Sequence, residues 1–151
     1  MLKVKGKIKE GYGVASGKSQ NNPYPEGTIK MQLSYFKKLG LDLSNYFFGT
    51  LNVNIKPLNF KLIKADYYFP QVNWYKDLKE DFSFVEIELV YQNKNYQGFL
   101  YYPHPETKPA HFQDASIMEL VFPKIKDINY GDEVIVLINK DKILIQSKGQ
   151  R

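Results

Sequence analysis

A chain of 151 residues has the length of one domain, long enough to bury a core without covalent staples. It has no cysteine and two histidines, which excludes disulfides, thiolate nucleophiles and cysteine-bound zinc. Its formal charge of +5 and pI near 9.2 favour anionic partners such as nucleotides, phosphates or nucleic acid.

The first residues alternate like a strand, unlike a targeting leader, and no apolar run approaches the roughly 18 residues of a membrane helix. A cytoplasmic protein is expected. Leu2, Val4 and Ile8 predict a strand over 2–10, with Lys3, Lys5, Lys7 and Lys9 on its other face. That lysine face reads most simply as solvated charge. A long segment dense in turn residues follows, from Glu10 to Gly27. Gly11, Gly13 and Gly17, with Ser16, Lys18 and Ser19, have the composition of a phosphate cradle and equally of a surface loop. The spacing is not that of a Walker A loop.

Thr28 to Leu39 is the one predicted helix. Ile29, Leu33 and Phe36 form its stripe, Lys37 and Lys38 occupy its last turn, and Gly40 is its C-cap. Strands are expected at 50–56, 59–65, 83–91, 96–102, 116–122, 133–138 and 141–146. Gln92 to Asn95 and Asn139 to Asp141 read as hairpin turns, and Gly131-Asp132 as a further turn. The segment 70–81, which holds the lone Trp74, shows no clean period and reads as a loop or excursion. Many short strands with one helix predict a single mainly β domain over 1–151, a small β-barrel.

Within the strand opened by Gly49-Thr50-Leu51-Asn52, Leu51, Val53 and Ile55 form the apolar face. Thr50 and Asn52 therefore share the opposite one. Two neutral oxygen ligands on a rigid edge suit Mg²⁺ that takes its other ligands from water and phosphate. A plain polar outer face is the alternative. Glu119 sits among apolar neighbours in Ser116 to Phe122. It is either partnered in a cavity, as a general base or hydroxyl acceptor, or turned to water at an edge. His104 and His111 bracket a proline-rich loop and read as solvated. Glu86 and Glu88 share one solvent-facing strand face. No Ser-His-Asp or Cys-His constellation is apparent.

Together, several segments resemble the archaeal CTP-dependent riboflavin kinases, a cradle-loop β-barrel family, from about Lys5 to Ile138. They are Lys5-Gly6-Lys7-Ile8 leading to Ser16-Gly17, Phe36 to Gly40, and Gly49 to Ile55. Val85 to Tyr102 with Gly98 follows, then Pro103, Thr107, His111, Ile117 to Pro123, and Ile128 to Ile135. The resemblance implies Mg²⁺ ligands at Thr50 and Asn52. It implies nucleotide contacts at Gly13, Val14, Ala15, Ser16, Gly17 and Lys18, and at Lys124, Ile125 and Lys126. It implies flavin contacts at Thr107, His111 and Glu119, with Glu119 as the catalytic group. The family's nucleotide loop typically reads Ser-Gly-Leu-Gly-Glu-Gly, whereas Lys18-Ser19-Gln20 follows Ser16-Gly17 here.

The expected activity is transfer of a nucleotide γ-phosphate, from CTP rather than ATP, to riboflavin with Mg²⁺. The alternative is a non-catalytic relative that binds a nucleotide, flavin or sugar. A nucleic-acid-binding barrel, suggested by the charge and twelve tyrosines, ranks last.

Overall fold

The computed structural model describes residues 1–9, 28–47, 49–76, 78–104 and 114–147. Among these residues, nine strands and one helix follow in the order β1 (Leu2–Lys9), α1 (Thr28–Lys38), β2 (Leu51–Asn54), β3 (Leu58–Leu62), β4 (Tyr67–Tyr75), β5 (Leu78–Tyr91), β6 (Lys94–Pro103), β7 (Ile117–Val121), β8 (Glu133–Ile138) and β9 (Ile143–Ser147). The protein is mainly β, as its short alternating segments predict.

Six strands close on themselves. The order β5-β6-β7-β2-β1-β8 is antiparallel throughout, and β8 returns to β5 through Glu88↔Leu137, Leu89↔Val136 and Val90↔Ile135. The length of β5 makes closure possible. β6 occupies one of its edges from Phe82 to Tyr91, while the other edge is shared by β4 early and β8 late. Closure removes the exposed edges that invite aggregation. The β3–β9 pair forms a second small sheet, and its Leu58, Phe60, Leu62, Ile143 and Ile145 pack onto the barrel core.

Alternation along the strands splits the apolar residues into two cores. Val4, Ile8, Val53, Val85, Ile87, Leu89, Leu100, Met118 and Leu120 fill the barrel interior. Phe69, Phe82, Phe84, Tyr101 and Val121 lie on the outer face, beneath Ile29 and Phe36 of α1. The Phe36 ring meets Phe82 and Phe84 edge-on, each at 5.0 Å between centroids. Such pairs contribute about 0.5–1.5 kcal/mol each beyond their buried area. The helix ends in a Schellman motif. Leu41 N–H donates to Phe36 C=O at 2.9 Å, Gly40 N–H donates to Lys37 C=O at 3.2 Å, and Gly40 takes φ 112°.

The expected loop over 70–81 is instead most of β4 and the start of β5. Two register shifts, between Phe69 and Val72 and between Val72 and Tyr75, set buried Phe69, Val72 and Trp74 at uneven spacing. Gln71 and Lys76 take φ of 51° and 49°. Bulges of this kind erase the two-residue period. The turn expected over Gln92 to Asn95 is a tighter two-residue hairpin at Gln92-Asn93, with φ of 49° and 63° as a type I′ turn requires, and Lys94 and Asn95 already belong to β6.

Candidate functional site

The outer face of the barrel carries a polar row. Asn52 of β2 is the direct partner of Glu119 on β7 and of Lys9 on β1. Directly opposed residues of an antiparallel sheet point to the same side, with Cβ atoms about 5 Å apart. The flanking Ile8, Val53 and Met118 turn into the barrel core, so Lys9, Asn52 and Glu119 face outward together. Asn52 is 8% exposed, Glu119 is half-buried and Lys9 is exposed. Thr50, just before β2, donates from Oγ1 to Asn52 Oδ1 at 3.4 Å.

Sequence reasoning expected Thr50 and Asn52 to share a face, and their side chains meet. Their oxygens suit Mg²⁺ as a donor set: both are neutral hard ligands, and neighbouring ligands around that ion lie roughly 3 Å apart. Among the described residues no group of three or more His, Asp or Glu is placed to hold a metal. A cation here would take Thr50 and Asn52 as two of its ligands.

The strand ends decide what else reaches this row. β1 ends at Lys9, directly beside Asn52. The chain leaving β7 passes the same end, where Phe47 N–H donates to Phe122 C=O at 3.1 Å. Lys124 and Lys126 beyond it are exposed, whereas Ile125 belongs to the barrel core. Any contact that Ile125 makes with a nucleotide falls to its backbone. Gly13, Val14, Ala15, Ser16, Gly17, Lys18, Thr107 and His111 lie outside the described residues. Asp114, at the start of the turn into β7, is held below the usual carboxylate range. Ser116 N–H and its hydroxyl are the main causes, and Lys56 and Lys9 add to them.

Gln32 and Tyr101 were missed by sequence reasoning. Tyr101 shares the outer face of β6 with Phe99, whose partner Val121 shares the face of Glu119. Tyr101 Oη donates to Gln32 Oε1 at 2.8 Å, and the two residues are 4% and 1% exposed. A signal existed: Gln32 lies three residues after Ile29 and four before Phe36, a polar residue on the buried stripe.

His104 is half-buried at the end of β6, where a solvated histidine was expected. Its Nε2 lies 2.7 Å from Ser83 Oγ, and its ring meets Tyr102 and Tyr68 edge-on. Ser83 is 1% exposed, so this pair joins β5 to β6 and offers no accessible nucleophile. Glu86 is exposed as expected, and Glu88 accepts from Asn95 and Gln97 across the β5–β6 hairpin.

Neither a scan of protein-family models nor a search of curated proteins returns a match for this chain. Among the described residues, no helix is long and apolar enough to cross a membrane.

Proposed function

We propose that the chain is a riboflavin kinase-like phosphotransferase, with a cytoplasmic location in keeping with that role. It would transfer the γ-phosphoryl group of a nucleoside triphosphate, CTP in preference to ATP, to the ribityl 5′-hydroxyl of riboflavin. The observation that carries this reading is the register Asn52↔Glu119 with Thr50 on Asn52. It sets two candidate cation ligands beside a carboxylate able to receive a hydroxyl proton. Resemblance to the riboflavin kinase barrels supplies the substrates.

Glu119 would accept the proton of the 5′-hydroxyl as its oxygen bonds to the γ-phosphorus and the bond to the leaving nucleoside diphosphate breaks. Thr50 Oγ1 and Asn52 Oδ1 would hold Mg²⁺, which supplies charge neutralisation at the phosphate oxygens. Burial of Asn52 fixes its carbonyl in place.

Incubation with Mg²⁺, riboflavin and either CTP or ATP tests this, with FMN resolved chromatographically. FMN from CTP supports the reading; no FMN from either nucleotide removes it. A second reading, a non-catalytic relative, is favoured by Lys18-Ser19-Gln20 where the resembled loop carries further glycines. It expects a small ligand to bind without turnover, and binding to survive Thr50→Ala with Asn52→Ala.

A further inference from the structure

Lys3, Lys5, Lys7 and Lys9 all point outward from β1 and are exposed. Among the described residues none of them makes an ion pair or a side-chain hydrogen bond. Alternate residues of a strand stand about 6.6 Å apart, so the four ammonium groups form a line along the barrel wall. The line ends at Lys9, the direct neighbour of Asn52. Glu133 stands opposite Lys7, and Asp114 lies within electrostatic reach of Lys9 but is paired with Lys56 at 3.9 Å. The row stays net positive. A solvated face explains unpaired surface lysines in general; it does not explain why the row runs into a buried asparagine with a carboxylate on its far side.

From this we infer that the lysine row of β1 is the docking strip for the phosphates of the nucleoside triphosphate. Lys9 contacts the polyphosphate beside Asn52, and Lys7, Lys5 and Lys3 guide it there. The inference rests on the kinase-like reading and adds the residues that bring the anion in. Lysine acts on phosphate as a mobile point charge, which suits capture and release. A line of like charge raises association rates in a way that salt suppresses.

The test is stopped-flow binding of a fluorescently labelled CTP with Mg²⁺ at several ionic strengths, alongside FMN formation. Lys9→Gln should weaken binding about tenfold, and Lys9→Arg should stay within about threefold of the unaltered protein. The triple variant K3Q/K5Q/K7Q should slow association several-fold at low salt. The difference should fade toward about 1 M salt, where screening acts within roughly 3 Å. A control, K61Q/K94Q/K140Q, has the same net charge but changes lysines elsewhere, and should keep the original rate. The inference is overturned if Lys9→Gln binds as the unaltered protein does, or if the two triple variants behave alike. If nucleotide binds and FMN forms while the lysine variants change nothing, this inference alone falls. If the unaltered protein captures no nucleotide, the kinase-like reading falls with it.

Discussion

Gly98 stands where β6 passes the exit of β7. A Cβ built there would lie 2.5 Å from Val121 C=O and 2.7 Å from the Phe122 ring. Backbone cannot yield as a flexible side chain can, so Gly98→Ala should lower stability by about 2–3 kcal/mol, read by urea denaturation. An unchanged midpoint would show that β7 gives way freely. At the site itself, Glu119→Gln keeps shape and removes the proton acceptor. In the proposed reaction it should lower kcat by about 10²-fold or more with little change in nucleotide affinity. Asn52→Ala should instead raise the Mg²⁺ concentration needed for half-maximal rate. If the two variants show one common defect, the division of labour between these neighbours is wrong. Both residues stood out in the sequence, Asn52 from its strand phase and Glu119 from its apolar company. Their pairing did not, because register across β2 and β7 is set by closure of the barrel and by no local signal.

At the scale of elements, α1 is held to the outer face by an aromatic cluster that the Tyr101–Gln32 hydrogen bond crosses. Gln32→Leu removes an acceptor of the buried Tyr101 hydroxyl and should cost about 1–3 kcal/mol. Tyr101→Phe removes the donor of the same bond, so in the Gln32→Leu background it should cost less than it does in the unaltered protein. Denaturation of the four proteins gives the coupling, and strict additivity would mean that the bond contributes nothing. The helix was readable because stripe, basic last turn and Gly40 all agree on one period. Gln32 was not recognised because three apolar positions suffice to define that stripe. β4 was unreadable for a different reason. Its bulges move Phe69, Val72 and Trp74 out of phase, and a bulged strand resembles a loop to any test that relies on period two. The lysines of β1 were visible as one face, but only the structure shows that this face leads to Asn52.

At the scale of the whole molecule, closure depends on β5 reaching β8, and the junction is clamped by Tyr91. Its hydroxyl donates to Asp132 Oδ2 at 2.6 Å, and Asn129 N–H donates to the same oxygen at 2.9 Å. These contacts tie the last residue of β5 to the turn that launches β8. They also make stability depend on pH in two windows. The Tyr91 hydrogen bond, then Asn129 N–H, hold Asp132 below its ordinary 3.8, so its contribution is complete above that value and lost as pH falls below it. Asp42 and Asp114, held down chiefly by hydrogen bonds from Ser44 and Ser116, act in the same direction. The bond to Asp132, followed by burial and charge, pushes Tyr91 from 10.0 up to about 12, so its contribution is complete below pH 10 and lost between there and 12. Lys142, raised above 10.5 by its 2.5 Å contact with Asp66, is lost on the same alkaline side. Melting temperature should therefore form a plateau between about pH 4 and pH 10 that falls away at both ends. Asp132→Asn preserves an acceptor for Tyr91 and Asn129 but removes the charge. Its plateau should lie lower, its acid fall should be shallower, and its alkaline fall should be smaller, keeping what Lys142, the burial of Tyr46 and the remaining burial and hydrogen bond of Tyr91 supply. An alkaline fall as steep as that of the unaltered protein would mean that the clamp on β5 is not where this barrel feels high pH.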